Sequence, residues 1–419
     1  MISPLVPLGV AILLGQTPAS GSGDSDRVVL IGGTMVERDQ SFGYLETRWT
    51  RSYPGRSIIF RNLGWSGDTV EGPSRARFGS KADGFAHLKE HVLALKPTII
   101  VVGYGANEAF EGAAGLPAFR SGLGKLLEAL RPSGARFIFL GPSRQEDLGR
   151  PLPDPRAHNA DLALYRDALR DSAQKRWKAA GEVIRVVDLF DALPDGARST
   201  PRRPLTDNGI HFNALGYWQE AVAVERELNL GLDPWSVEVD MAALAPENSG
   251  RVASMIGFNQ ATTEAPRVIP GGVRFGLRST MLPGPPRPDD GPLPPSDART
   301  VAVRNLEPGR YTLKVDGRAV ASADADGWKA GVPLTRGPEF DQVEALRAAI
   351  NAKNELYFHR WRPANETYLF GFRKHEQGQN AREIPLFDPL VAAKEAEIAR
   401  LRVPVAHAYE LIREGEVAR

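Results

Sequence analysis

The segment from Leu205 to Tyr217 carries the groups best suited to acid–base chemistry. It places a carboxylate, an amide and an imidazole within five residues, on Asp207, Asn208 and His211. Histidine is the natural general base near neutral pH, and a close Asp or Asn can hold one tautomer of its ring. The segment therefore predicts a proton-transfer site, with a solvated loop histidine as the alternative.

A hydroxyl group follows the first apolar run of the chain, where residues 32–35 read Gly-Gly-Thr-Met. A glycine pair at the end of a strand, followed by a hydroxyl residue, indicates a tight turn into a helix that exposes the oxygen above the sheet. Thr34 is then a candidate nucleophile, and the alternative is that it caps the helix. The glycine spacing does not fit the GxGxxG fingerprint of dinucleotide-binding proteins.

Two further turns carry groups that can stabilise a developing oxyanion. The second apolar run is followed by Gly64-Trp65-Ser66-Gly67, whose glycines allow a backbone N–H to point into a cleft. Asp68 stands where a GxSxG elbow needs its last glycine, so Ser66 is a poor nucleophile candidate. The third run is followed by Gly105-Ala106-Asn107-Glu108, and the neutral amide of Asn107 can donate at every pH. Plain turns are the alternative for both segments.

Short apolar runs alternate with segments of helical periodicity between Arg27 and Leu230. The runs are continuous and rich in β-branched and aromatic residues, which is typical of parallel strands buried on both faces. We expect a three-layer α/β domain with five parallel strands, whose ligand site lies beyond the carboxyl ends of the strands. The predicted strands are Val28–Ile31, Ser57–Phe60, Thr98–Val102, Arg136–Leu140 and Val183–Val187, and the predicted helices include Phe85–Leu95, Phe119–Leu130 and Leu162–Trp177.

The pattern changes after about residue 233. Short strand candidates among turn residues indicate a β-rich subdomain over residues 233–335, in which Asp316-Gly317 predicts a hairpin with a type I′ turn. The proline-rich residues 283–295 cannot pair as a central strand and predict an exposed loop. Residues 336–419 form a C-terminal extension with helical periodicity around an aromatic and basic stretch.

In chain order, the four chemical segments resemble the ordered blocks of the SGNH/GDSL hydrolase family. The resemblance covers about residues 27–230, and we place the boundaries of the corresponding domain at 24–232. It implies a flavodoxin-like sheet. It also implies that the Gly67 amide and Asn107 form an oxyanion hole and that His211 is the base. Residues 357–366 look like an extension found on some bacterial members, for which the resemblance implies no role.

Two residues depart from the family pattern. Thr34 stands where the family has its nucleophilic serine, and its methyl group restricts χ1 and crowds the attack. Asn208 stands where the family has its acid, and Asp207 lies one residue further from the histidine. Exchange of the triad Asp for Asn costs about 10⁴-fold in a serine protease, because the wrong imidazole tautomer is held. Either Asp207 reaches His211 through a shifted turn, or Thr34, Asn208 and His211 form a slow hydrolase, or the fold binds without cleaving.

The expected function is therefore hydrolysis of an acyl ester, and the resemblance suggests an O-acyl group on a carbohydrate. Thr34 attacks the carbonyl in this scheme, His211 moves the proton, and Gly67 with Asn107 holds the oxyanion. The scheme needs neither a metal nor an organic cofactor. The alternative is a non-catalytic pseudo-hydrolase that acts as a glycan-binding or scaffolding protein.

Composition restricts the other functions open to the 419-residue chain. The absence of Cys excludes a disulfide framework, a thiolate zinc site and a Cys nucleophile. A net charge of +1 argues against nucleic-acid binding through a broad basic surface. Residues 1–23 resemble a secretory leader too short to span a membrane, which favours export to the periplasm or the medium. His87 and His91 have a metal-binding spacing, but we expect them to lie on a solvated helix face. No feature of the sequence indicates an oligomeric state.

Overall fold

The computed structural model describes residues 25–177, 184–231, 234–244, 256–259, 261–263, 266–376 and 380–415. The leader expected at residues 1–23 and the first residue of the fifth apolar run, Val183, lie outside the described residues. Within these ranges, we find no helix with both the length and the apolar character needed to span a bilayer.

A sheet of five parallel strands forms the centre of the N-terminal domain, in the order β2-β1-β3-β4-β5. This order is that of flavodoxin-like folds, and it confirms the predicted three-layer α/β class. Side chains of β1 alternate between two buried clusters, with Val29 and Ile31 on one face and Val28 and Leu30 on the other. The strands are β1 (Ser25–Gly32), β2 (Ser57–Asn62), β3 (Ile99–Gly103), β4 (Arg136–Leu140) and β5 (Ile184–Val187).

Helices cover both faces of this sheet. Leu88, Leu123 and Leu162 bring three helices onto one face, and Trp49 and Trp218 bring two helices onto the other. The central strands β1, β3 and β4 can therefore be apolar over most of their length, because helices keep water from both faces. The helices are α1 (Thr34–Asp39), α2 (Tyr44–Ser52), α3 (Lys81–Ala94), α4 (Leu116–Leu130), α5 (Arg156–Asp171), α6 (Leu189–Ala192) and α7 (Ala214–Leu228).

Two further sheets pack together in the β-rich part of the chain. The expected hairpin joins β12 to β13, and its turn residues Asp316 and Gly317 have φ of 51° and 78°, as a type I′ turn requires. The strands are β6 (Trp235–Asp240), β7 (Ile256–Asn259), β8 (Ala261–Thr263), β9 (Arg267–Ile269), β10 (Gly272–Ser279), β11 (Arg299–Arg304), β12 (Arg310–Val315), β13 (Arg318–Asp324), β14 (Val332–Pro333) and β15 (Ala406–Arg413).

The C-terminal extension contacts both parts of the molecule. Strand β15 pairs antiparallel with β10 on one side and with β12 on the other, so the last described strand lies inside a sheet built from earlier residues. The long helix α9 packs against α2 and α11. The helices of this region are α8 (Ala325–Ala330), α9 (Pro338–Trp361), α10 (Glu366–Leu369) and α11 (Phe387–Leu401).

The proline-rich loop is only partly exposed, which corrects the expectation for residues 283–295. Residues 283–285 are buried, and the carbonyl of Pro285 accepts the indole N–H of Trp218 at 2.9 Å. Prolines lack an N–H for a sheet but keep their carbonyl and an apolar ring, so the loop can pack against α7 without joining a strand.

Asp39, at the end of α1, is a buried carboxyl group that makes stability depend on pH. Burial, followed by the negative charge of Glu46, raises the pKa of Asp39 from 3.8 to about 7. Burial and Asp39 itself raise the pKa of Glu220 well above its usual range. Between about pH 4 and pH 7, the folded protein therefore keeps protons that the unfolded chain has released. The contribution of these protonated carboxyl groups to the free energy of unfolding is complete below about pH 4 and is lost as the pH rises through 7.

We predict that Asp39→Asn makes the unfolding free energy less dependent on pH. The contribution of Asp39 falls by about 2 kcal/mol between pH 5 and pH 7, and the neutral amide removes this loss. Urea unfolding of both proteins at pH 5, 6, 7 and 8 measures the effect. The free energy of unfolding of the variant, relative to that of wild type, should increase as the pH rises. If the two free energies change in parallel with pH, the raised pKa is not that of Asp39.

Candidate active site

A cleft lies at the carboxyl ends of β1, β3 and β4, and Thr34, Asn107 and His211 all line it. The other lining residues include the turn after β3 and the segment 140–145 at the end of β4. Parallel strands bring the ends of distant segments to one edge of the sheet, which explains why residues so far apart in the chain meet here. The cavity has a volume of about 80 Å³.

Thr34 is the first residue of α1, and its hydroxyl is directed to the turn after β2. The helix is capped by Gly33 with no side-chain hydrogen bond, so Thr34 does not cap it. The hydroxyl oxygen instead accepts the N–H of Gly67 at 3.3 Å. The candidate nucleophile therefore lies directly against the backbone amide that the sequence predicted as an oxyanion donor.

The turn after β2 needs glycine at position 67. Gly67 has φ of 75°, a left-handed conformation that side chains disfavour, and this conformation directs its N–H to Thr34. Because a backbone amide carries no charge and keeps its proton, it can stabilise an oxyanion at any ordinary pH.

The side chain of Asn107 lies beside the residue that precedes Thr34. Its Nδ2 donates to the carbonyl of Asp68 at 2.8 Å, which leaves the second N–H of the amide for another acceptor. A Cβ at Gly33 would lie 3.0 Å from this Nδ2, closer than an ordinary contact. The glycine at position 33 therefore leaves room for Asn107 next to the nucleophile.

Asn208 fixes the imidazole of His211 in one tautomer. The Oδ1 of Asn208 accepts the backbone N–H groups of Ile210 at 3.1 Å and His211 at 2.9 Å, which determines the orientation of the amide. Its Nδ2 lies 3.2 Å from Nδ1 of His211 and can only donate to it. The ring proton of neutral His211 is therefore on Nε2. A base that accepts a proton through Nε2 needs the opposite tautomer.

Asp207 faces Arg38 rather than the ring of His211. The two charged groups lie 3.5 Å apart, and the Asp207 side chain is 60% exposed. The backbone N–H of Asp207 donates to the carbonyl of His211 at 2.9 Å, which closes the turn. The described residues show no hydrogen bond between His211 and Thr34. Burial, followed by the charge of Arg38, lowers the pKa of His211, so the ring is neutral and able to accept a proton at pH 7.

Two buried carboxylates that the sequence reasoning missed hold the site together. Glu108 accepts the N–H of Val70 at 2.9 Å and that of Gly105 at 2.8 Å, so it joins the turns after β2 and β3. Glu146 accepts the N–H of Leu205 and, at 2.6 Å, the hydroxyl of Thr206, which fixes the start of the histidine segment. The role of Glu108 could have been predicted, because it follows Asn107 in a glycine turn whose backbone N–H groups need acceptors. No sequence feature of this kind marks Glu146.

His87 and His91 do not converge on a common point for a metal. Nδ1 of His87 donates to the carbonyl of Arg75 at 2.9 Å, and the two rings stack with centroids 6.4 Å apart. Burial lowers the pKa of His91 to about 4. Across the residues that the structure describes, no group of three His, Asp or Glu side chains is arranged to hold a metal.

Comparison with solved structures finds one enzyme with the same fold over most of the chain. A gut microbial diltiazem-metabolizing enzyme, BT4096, superposes with a TM-score of 0.69 at 14% identity, over 93% of this chain and 98% of that chain. A catalytic mutant of Axe2, an acetylxylan esterase from Geobacillus stearothermophilus, matches over 50% of this chain and 96% of its own, with 19% identity and a TM-score of 0.38. The first match extends the structural likeness beyond the α/β domain to the β-rich part and the extension.

The sheet order and the turns that meet at the cleft resemble those of an SGNH-type hydrolase domain. Residues 19–219 match the model of the GDSL-like Lipase/Acylhydrolase family, so this part of the chain is similar to that family. No curated protein matches the chain at a significant level.

Proposed function

We propose that this protein hydrolyses small O-acyl esters through Thr34 and His211. The observation that carries the proposal is the hydrogen bond from the Gly67 N–H to the Thr34 hydroxyl, in a cleft that His211 and Asn107 also line. A nucleophile, a base and two neutral donors in one cleft are what acyl transfer requires.

In the proposed reaction, Thr34 Oγ1 attacks the ester carbonyl carbon while its proton passes to Nε2 of His211. The carbonyl oxygen becomes an oxyanion, which the Gly67 N–H and the free N–H of Asn107 stabilise. The tetrahedral intermediate expels the alcohol, which takes the proton from His211, and leaves an acyl group on Thr34. Water then attacks this acyl-enzyme in the same way, and the acid product leaves.

The contact between Asn208 and His211 makes this reaction slow. Nε2 must present a lone pair to Thr34, but the amide of Asn208 favours the tautomer with the proton on Nε2. The lowered pKa of His211 keeps the ring neutral, so the acidic limb of kcat/KM should lie below pH 6.5. The rate of turnover is then limited by the tautomer of His211 and by the methyl group of Thr34. It is not limited by protonation of the imidazole.

A short acyl group and a cyclic alcohol suit the cleft best. A cavity of about 80 Å³ has the volume of roughly three water molecules at about 30 Å³ each, which is room for an acetyl group. At its rim, Phe110 is 64% exposed and stacks on His158 with centroids 4.1 Å apart, and Ile210 is 42% exposed. This apolar rim fits the apolar face of a sugar ring, which agrees with an O-acylated carbohydrate as substrate.

Variants at position 34 test the proposed function. On p-nitrophenyl acetate, wild type should exceed Thr34→Ala by at least about 10²-fold in kcat/KM, since the nucleophile is lost. Thr34→Ser should exceed wild type by about 10-fold, because removal of the methyl group frees χ1. Equal background rates in wild type and Thr34→Ala, with a gain only in Thr34→Ser, would contradict catalysis by this protein and favour the non-catalytic alternative.

A further inference from the structure

The first residue after helix α9 reaches the turn that carries the oxyanion donor. Nη1 of Arg362 lies 2.9 Å from Oε2 of Glu37, and its guanidinium lies 3.8 Å from the ring centroid of Trp65. Both side chains of the ion pair are more than two-thirds buried, with exposed fractions of 26% and 19%. The aromatic and basic stretch of the C-terminal extension thus has a defined contact in the N-terminal domain.

Glu37 connects this contact to both halves of the proposed site. It lies in α1, three residues after Thr34, and the same Oε2 that meets Arg362 also accepts the backbone N–H of Ser66. Ser66 immediately precedes Gly67. One carboxylate oxygen therefore joins the helix of the nucleophile, the oxyanion turn and the extension.

Trp65 contacts two guanidinium groups and a second indole. Arg75 lies 5.6 Å from its ring centroid, and Trp361 meets it edge-on with centroids 5.8 Å apart. Arg75 is itself fixed by a buried ion pair with Asp68 at 2.7 Å and by a bond to the carbonyl of Leu63. The turn is thus contacted by its own domain through Arg75 and by the extension through Arg362 and Trp361.

We propose that Arg362 is a positioning residue for the oxyanion hole. It holds Glu37 and Trp65 so that the peptide between Ser66 and Gly67 keeps its N–H directed to the oxygen at Thr34. Arg362 acts through this turn and does not line the cleft. The inference rests on the proposed function, since the oxyanion hole is assigned there to ester hydrolysis.

Two measurements test this role in the full chain. In Arg362→Ala, amide hydrogen exchange at Ser66 and Gly67 should be about 10-fold faster than in wild type, because the restraint on the turn is lost. On p-nitrophenyl acetate, kcat should fall by about 10-fold with KM unchanged within twofold, since a loosened donor weakens the transition state and not substrate binding. Arg362→Lys should give intermediate values, because it keeps the charge but not the planar stack on Trp65.

Arg360→Ala is the matched control. Arg360 lies two residues earlier, pairs with Asp388 at 2.8 Å, and has no contact with the turn among the described residues. It should leave the exchange and kcat unchanged. If the amides of Ser66 and Gly67 exchange as slowly in Arg362→Ala as in wild type, the inference is overturned. It is also overturned if their exchange is faster but kcat does not fall, in an enzyme whose wild type is active. Faster exchange in Arg362→Ala, combined with a wild type no more active than Thr34→Ala, would support the restraint on the turn and overturn the proposed function.

Discussion

Asn208→Asp is expected to raise the rate of ester hydrolysis by about 10²- to 10³-fold, since the reverse exchange costs about 10⁴-fold in a serine protease. The Nδ2 of Asn208 donates to Nδ1 of His211, so the resting ring carries its proton on Nε2. A carboxylate at this position accepts from Nδ1–H instead and leaves the Nε2 lone pair free for Thr34. It also stabilises the imidazolium that forms during attack.

The measurement is kcat on p-nitrophenyl acetate at pH 7.5, with Asp207→Asn as the control. Asp207 pairs with Arg38 and is 60% exposed, so its replacement should change kcat by less than twofold. The Asn208→Asp variant should also raise the pKa of His211 and move the acidic limb of the profile to higher pH. A variant no faster than wild type, with a control that loses most activity, would show that Asp207 orients the histidine.

Arg48→Met is expected to lower the unfolding free energy by about 3–5 kcal/mol, because two buried carboxylates would then share one arginine and leave a negative charge uncompensated. Arg48 and Arg51 form a fully buried cluster with Glu225 of α7 and with Asp297, two residues after the proline-rich loop. Nη1 of Arg48 lies 2.6 Å from Glu225 and 3.0 Å from Asp297. Burial alone would raise the pKa of Asp297, but Arg48 and Arg51 reverse this effect and lower it.

Urea unfolding at pH 7 measures this loss, and Arg318→Met is the matched control. Arg318 pairs with Asp341, but both side chains are more than half exposed, so the control should change stability by less than about 0.5 kcal/mol. Similar small losses in both variants would mean that the buried cluster does not stabilise the contact of Asp297 with the α/β domain.

The sequence was most informative where burial on both faces dictates residue type. Runs such as Ile99–Gly103 have no alternation because helices cover both sides, and this pattern predicted the parallel sheet correctly. The hairpin at Asp316-Gly317 was equally predictable, because few residue pairs accept two positive φ values. Thr34 and Asn107 were expected in one cleft because each follows a strand, whereas His211 precedes α7 and was expected beside them only from the family resemblance.

Features that depend on side-chain orientation or on distant partners could not be predicted. The tautomer of His211 depends on which end of the Asn208 amide faces the backbone, and composition does not encode this. The contact of Arg362 with Glu37 joins residues 325 positions apart, so no local pattern indicates it. The proline-rich loop appeared exposed because its prolines exclude strand pairing, but its carbonyl and apolar surface allow Pro285 to pack on Trp218.

Covalent labelling with an alkyl p-nitrophenyl phosphonate tests the role of Thr34 most directly. A hydroxyl nucleophile in an oxyanion hole attacks phosphorus, forms a P–O bond and releases p-nitrophenolate, and the tetrahedral adduct resembles the acyl-transfer transition state. We predict one adduct per chain by intact mass, located on Thr34 by peptide sequencing, and no adduct in Thr34→Ala. A wild-type protein that stays unlabelled, or an adduct that persists in Thr34→Ala, would contradict the proposed mechanism.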